Sequence, residues 1–122
     1  AWAAGLTRTR KRARSLARRA CNGDQDALFH RCRKWTKYYL YQLEQLHDSR
    51  LPASSEMQTL ARLGEQLGQL QDLCNLEAQL QTLAPDQESE ALAEQLEKRK
   101  GRCKRRIIRL FIKVYGRRHL DV

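Results

Sequence analysis

The chain has 122 residues, and its 24 lysines and arginines against 14 acidic residues give it a formal net charge of +10. This length suits one domain and is too short for two nucleotide-binding halves or an α/β barrel. With 41% hydrophobic and 31% charged residues, we expect neither a disordered tail nor a membrane protein. Only two prolines and six glycines are available for turns, which disfavours a many-stranded β fold.

The cysteines and the start of the chain indicate where the protein works. No apolar run approaches the roughly 20 residues of a membrane span, and the first residues lack a signal-peptide pattern. The four cysteines (Cys21, Cys32, Cys74, Cys103) lack zinc-ligand spacing, so we expect buried free thiols in a cytoplasmic protein. Because the chain begins with Ala1, we expect a segment or a processed product.

Hydrophobic periodicity and punctuation predict four helices, over residues 6–20, 25–48, 55–84 and 87–116. Short connections between long helices make neighbours antiparallel. We therefore predict an all-α fold, an antiparallel four-helix bundle that forms a single domain over residues 1–122. The inner rows predicted from the spacing include four leucines near helix ends: Leu46, Leu76, Leu83 and Leu92.

Charge is segregated along the chain. Residues 1–50 contain 12 basic and 4 acidic residues, which gives a net charge of +8. Residues 98–122 contain 11 basic residues and 1 acidic residue, which gives a net charge of +10. Residues 51–97 contain 1 basic residue and 9 acidic residues, which gives a net charge of −8. Such asymmetry is typical of a surface that binds a polyanion. The alternative is a solvated surface on which the acidic segment partly neutralises the basic ones.

The second predicted helix carries a column of cations on the side opposite its apolar stripe. At about 100° per residue, five residues gather there within about 100° of arc: His30, Arg33, Lys34, Lys37 and Tyr41. Like charges three or four residues apart repel each other, and no acid interrupts the column before Glu44. An extended anion along this face explains such a pattern. A solvated face of lysines and arginines is the alternative.

Two further helices add cations. In the first predicted helix, five basic residues extend the candidate polyanion site: Arg8, Lys11, Arg12, Arg14 and Arg18. In the fourth, we expect a secondary basic patch formed by Arg102, Arg106, Arg109 and Lys113. The basic residues of the fourth helix as a whole circle it, so some of them face solvent only.

Three stretches resemble the CHAD (conserved-histidine α-helical) domain family. Residues 30–41, HRCRKWTKYYLY, resemble its pattern H-x-x-R-[KR]-x-x-K-x-x-R-Y. Residues 67–73, LGQLQDL, are similar to its L-G-x-x-x-D-L helix. Residues 5–14, GLTRTRKRAR, are similar to its leading helix, G-L-x-x-x-Y-x-R-G-R. Order and spacing agree over residues 5–83, with Leu40, Arg10 and Ala13 departing from the patterns.

The resemblance implies binding of inorganic polyphosphate in a basic cavity, without catalysis or cofactor, and a two-repeat architecture of which this chain is one repeat. A second copy of the chain could then supply the missing half, and the protein could associate with polyphosphate granules. Gly68 is expected to permit close helix contact. Asp72 either holds a nearby basic side chain or is an ordinary exposed acid.

Other function classes receive less support. Nucleic-acid binding is the strongest alternative, because a basic helical surface can track any phosphate backbone. No helix-turn-helix, zinc-finger or RNA-recognition pattern supports it. A metal-dependent hydrolase is disfavoured, since His30, His47 and His119 lack ligand spacing and no glycine-rich phosphate loop is present. We therefore expect no enzyme and no metal site. A scaffold bundle that binds no polyanion is the third alternative.

Overall fold

Five helices contain most of the chain. The computed structural model describes residues 2–122, which form α1 (Trp2–Gly23), α2 (Asp26–Leu46), α3 (Ser55–Leu80), α4 (Gln87–Tyr115) and the short α5 (Arg117–Leu120). Helices α1 to α4 form an antiparallel bundle in which each helix lies beside the next along the chain, and α5 returns to contact α1. The predicted all-α fold is confirmed. Among residues 2–122, no helix is both long and apolar enough to cross a membrane.

Specific caps define the helix ends. The Ser54 hydroxyl accepts a hydrogen bond from the Met57 backbone N–H at 3.1 Å, and Asp86 forms a capping box with Ser89; both are common ways to begin a helix. Helix α3 ends four residues earlier than predicted, because the chain forms turns after Leu80. The residue before a proline is also disfavoured in helical conformation, which keeps Ala84 out of the helix.

The core lies along the bundle axis and is built from the predicted apolar rows. Its largest fully buried side chains include Phe29, Phe111, Leu16, Leu63 and Leu67. The rings of Phe29 and Phe111 stack at 6.4 Å between centroids, which joins α2 to α4 across the centre. Burial of these side chains is the main force that assembles the helices.

Four predicted inner leucines are exposed instead. Leu46, Leu76, Leu83 and Leu92 are between 46% and 61% accessible. Lys100 contacts Asp26, the first residue of α2, so the part of α4 before Lys100 extends past the end of the α1–α2 pair. Leu83 and Leu92 lie in this projecting tip and Leu76 is on the outer side of α3 near it, whereas Leu46 ends α2. Periodicity predicts the face of a residue but not whether a neighbouring helix reaches it.

Candidate anion-binding site

The outer flank of α2 presents its cations without neutralising acids. Arg33 is partly buried, while Lys34, Lys37 and Tyr41 are exposed, and they lie on the side of α2 away from the buried Cys32 and Tyr39. Within residues 2–122, none of Arg33, Lys34 and Lys37 forms an ion pair. The flank is therefore a strip of uncompensated positive charge.

Arg33 lies in the groove between α2 and α3, against Gly68. A Cβ atom at Gly68 would be 3.8 Å from both Nε and Nη2 of Arg33, which is ordinary van der Waals contact, so a side chain larger than that of alanine would meet the guanidinium. Nε of Arg33 is buried and has no hydrogen-bond partner in the described part of the chain. An unpaired buried donor is costly, and the Arg33 side chain would have to move before an anion could reach its Nε. Gly68 thus admits a cationic side chain between the two helices.

His30 lies one turn before Arg33 and is also partly buried. Its Nδ1 atom has no hydrogen-bond partner among the described residues. Burial lowers the pKa of His30 below its ordinary value of 6.5; the nearby charges of Lys100, Arg33 and Lys104 act in the same direction, and Asp26 opposes them. The imidazole is therefore mainly neutral at neutral pH, and the described residues leave its Nδ1 atom without a hydrogen bond.

A cluster of paired charges stands next to His30. The Lys100 ammonium is buried and donates to Asp26 at 2.8 Å and to Glu77 at 3.1 Å, and Lys104 contacts Asp26 at 2.8 Å and Asp24 at 3.1 Å. Burial acts to raise the pKa of Asp26, but the hydrogen bonds from Lys100 and Lys104 outweigh it and lower that pKa to about 2. Asp26 is thus committed to the lysines of α4.

The predicted cations of α1 separate into two groups. The Arg12 guanidinium lies over the Trp35 ring of α2, 5.6 Å from its centroid, and Arg8 is exposed. Arg14 and Arg18 instead lie toward α5, together with Lys11. Residues 12 and 14 are about 200° apart around a helix, so α1 cannot present both to one ligand. The structure therefore divides what the sequence predicts as one site.

The predicted basic patch of α4 is divided as well. Arg102 and Arg106 line a groove of about 430 Å³ between α4 and α3, together with Arg99 and Leu73. Arg109 is exposed. Lys113 lines a different pocket, which contains Arg10, Glu56 and Thr59.

Asp72 and His47 form no ion pair with the cations of the α2 flank among the described residues. Asp72 is exposed on α3 and forms no ion pair in the part of the chain that the structure describes. A His47 ring nitrogen lies 3.0 Å from the Leu51 carbonyl oxygen. Among residues 2–122, no group of three His, Cys, Asp or Glu side chains is placed to hold a metal ion.

Sequence reasoning missed the role of two lysines. Lys100 and Lys104 belong to a run of basic residues, but Lys100 also falls in the buried row of α4 with Leu96, Cys103 and Ile107. These positions are spaced by four, three and four residues, the spacing of a single helix face. A lysine inside an apolar row is the signal that could have shown a buried, paired ammonium.

Comparison with known proteins agrees with this architecture. The sequence profile of the CHAD domain matches residues 1–81, which include α1, α2 and α3 and therefore all three stretches that carry the resemblance. No curated protein and no solved structure matches the chain. Because the profile covers about two thirds of its length, the chain belongs to the CHAD domain family.

Proposed function

We propose that this chain binds inorganic polyphosphate, without catalysis, along the outer flank of α2. The observation that carries the proposal is the absence of ion pairs at Arg33, Lys34 and Lys37 among the described residues. Repulsion between these cations would be relieved by phosphate groups, which arginine and lysine both bind well. Membership of the CHAD family supports this ligand.

The flank has the dimensions for an extended ligand. From His30 to Tyr41 the helix rises about 16 Å at 1.5 Å per residue, so the cations form a strip rather than a pocket. After a movement of their side chains, Arg33 and His30 would donate hydrogen bonds to phosphate oxygens at the inner edge of this strip, where Arg33 Nε and His30 Nδ1 have no partner within residues 2–122. Lys37 and Lys34, which are exposed, would add charge along its outer edge.

We propose a binding function rather than an enzyme. The flank brings cations together with an imidazole, and the carboxylate nearest to that imidazole is Asp26, which Lys100 and Lys104 engage. Acid–base chemistry on a phosphoanhydride needs a group free to transfer a proton to or from the reacting atoms. The flank thus supplies charge and donors, which is what holding a polyanion requires.

A second candidate function is binding of a nucleic-acid backbone. One observation favours it: Tyr38 and Tyr41 are 49% and 61% exposed, and Lys34 lies 5.8 Å from the Tyr38 ring centroid. Aromatic rings beside cations are the elements that bind single strands. Polyphosphate has no bases to stack on these rings. A single-stranded nucleic acid would stack its bases on Tyr38 and Tyr41.

We also propose that residues 1–122 are one CHAD repeat and that a second copy covers the cationic flank. A twofold contact would place two such strips opposite each other and enclose the ligand between them. Light scattering at tens of micromolar should show a dimer, at least with polyphosphate present. A strict monomer with and without polyphosphate would contradict this part of the proposal.

A competition experiment tests the proposed ligand. Long-chain polyphosphate, duplex DNA and single-stranded RNA should compete for a labelled polyphosphate probe at one fixed salt concentration. We expect polyphosphate to win, with an affinity that falls steeply as salt rises because bound counterions are released. Preferential binding of RNA or DNA would favour the second candidate, and no binding of any polyanion would leave only a scaffold role.

A further inference from the structure

A second cationic surface lies between α1 and α5, on the opposite side of α1 from the α2 flank. It is a groove of about 390 Å³ whose charged and titratable lining residues are Lys11, Arg14, Arg18, Arg118, His119 and Asp121. Four of these residues are permanent cations, and Asp121 is the acid of this set. The lining comes from two segments about a hundred residues apart in sequence, so α5 completes the groove.

The short helix α5 is firmly attached to α1. Leu120 is fully buried, and Asn22 Nδ2 donates a hydrogen bond to the Leu120 carbonyl oxygen at 2.9 Å. The turn that brings α5 there passes through Gly116, whose φ of +82° is a conformation that glycine adopts without strain. The backbone of α5 is therefore held beside α1, which places Arg118 and His119 along this groove before any ligand arrives.

The chain's own carboxylate occupies part of this groove. Asp121 pairs with Arg18 at 2.6 Å, and both side chains are more than half exposed. Exposed ion pairs contribute little to stability, so an anion with more charge can displace Asp121 from Arg18. The carboxylate stands where an oxyanion of a ligand would bind.

We propose that the groove between α1 and α5 is a second binding site for phosphate chains, with Asp121 as an internal competitor for Arg18. The proposal rests on the proposed function for the class of ligand but uses different residues. Arg118 and His119 come from beyond residue 81, where the family profile ends. With both surfaces, one protein molecule would hold a long polyphosphate at two separate points, or it would bind two short polyphosphates.

The three histidines offer separate reporters for a titration with tripolyphosphate. His30 lies on the α2 flank, His119 in the groove, and His47 at the end of α2 beside Leu51. Their ring resonances should be followed by NMR at constant ionic strength, with sulfate as the control for screening. We expect the resonances of His30 and His119 to shift in a saturable way, and those of His47 to remain nearly unchanged.

Matched variants test the roles of single residues. Asp121→Asn keeps a residue that tolerates the left-handed backbone at this position. It should lower about threefold the tripolyphosphate concentration at which the His119 resonance has shifted halfway. Glu94→Gln, the same charge change at an exposed site, should not. Arg118→Ala should raise that midpoint at least threefold, whereas Arg117→Ala, on the same helix but outside the groove lining, should have little effect.

The outcomes separate the two proposals. If His119 stays unchanged while the His30 titration saturates, the groove proposal is wrong and the proposed function stands. If His119 responds and His30 does not, the groove binds phosphate chains and the site on the α2 flank is wrong. If neither responds, or if sulfate gives the same shifts, both proposals are contradicted.

Discussion

Two groups of cations in this protein have opposite environments. Lys100 and Lys104 of α4 are paired with Asp26, Glu77 and Asp24 at distances between 2.8 and 3.1 Å. Arg33 and its neighbours on the outer flank of α2 have no acidic partner among residues 2–122. The paired lysines hold α2, α3 and α4 together. Positive charge is therefore structural in the first group, and in the second it is available for the proposed ligand.

Removing the buried lysine should have the largest effect on stability. Lys100→Met leaves Glu77 without its close cation, and loss of one partner of a buried ion pair is strongly destabilising. Because Lys104 still neutralises Asp26, we expect a cost of about 3 kcal/mol, or a decrease of about 10 °C in Tm. Thermal unfolding followed by circular dichroism measures both.

Two further variants control that result. Lys98→Met removes an exposed lysine, and surface changes of this kind usually alter stability by less than about 0.5 kcal/mol. Lys100→Met combined with Glu77→Leu should recover most of the loss, because an apolar pair can replace a buried ion pair. Equal stability of the two lysine variants would show that the buried cluster does not hold the fold.

Acid should weaken the same cluster over a defined range of pH. The folded-state pKa of Asp26 is about 2, below its ordinary value of 3.8, so its stabilising contribution is present above about pH 4 and is lost as the pH falls through 2. The Asp26 side chain is 34% exposed, and we reduce the contribution to about 1–2 kcal/mol for solvent screening.

The pH effect is measured as a difference between two proteins. The free energies of unfolding in urea of the wild type and of Asp26→Asn should differ at pH 6. The difference between these free energies should become smaller as the pH falls from about 5 to 2. A gap that is independent of pH over this range would contradict the assigned ion pairs. The comparison cancels the titration of acids that both proteins share.

Substitution of Gly68 by alanine should have the smallest effect on stability. This residue contacts Arg33, one of the cations on the outer flank of α2. Gly68→Ala places a methyl group in ordinary contact with Arg33, at 3.8 Å, and should stabilise α3 by about 0.5–1 kcal/mol. Polyphosphate affinity should remain close to that of the wild type. Gly68→Leu would push the Arg33 guanidinium out of the groove and should weaken binding severalfold in a calorimetric titration. Equal affinity of the two variants would show that the position of Arg33 is unimportant.

Much of the fold could be predicted from sequence because it depends on local rules. The start of α4 follows from the capping residues Asp86 and Ser89, and the buried face of α3 follows from the spacing of Leu60, Leu63 and Leu67. The exposure of Leu92 could not be predicted, since it depends on how far α1 and α2 extend beside α4. That length is a property of the assembled bundle.

The candidate site could be predicted only in part. The cations of α2 share one face because they share one helix, and helical spacing is sufficient to group them. Whether a charged side chain has a partner depends on how the helices pack: the lysines that engage Asp26 are more than seventy residues away in sequence. The position of Arg118 beside Arg14 likewise depends on the turn at Gly116, which no periodicity predicts.

The central claim is that the unpaired cations of α2 bind polyphosphate, and one calorimetric comparison tests it most directly. Long-chain polyphosphate is titrated into Arg33→Glu/Lys37→Glu and into Lys98→Glu/Arg117→Glu. Two charge reversals change the net charge by −4 in each, from +10 to +6, so long-range attraction is matched. We expect the affinity of the α2 flank to fall about 10²- to 10⁴-fold in the first variant, because two charged hydrogen bonds are lost, and any remaining binding to be that of the groove between α1 and α5. The second should stay within a few fold of the wild type, with unchanged helical circular dichroism in both. Equal affinities of the two variants would contradict the claim.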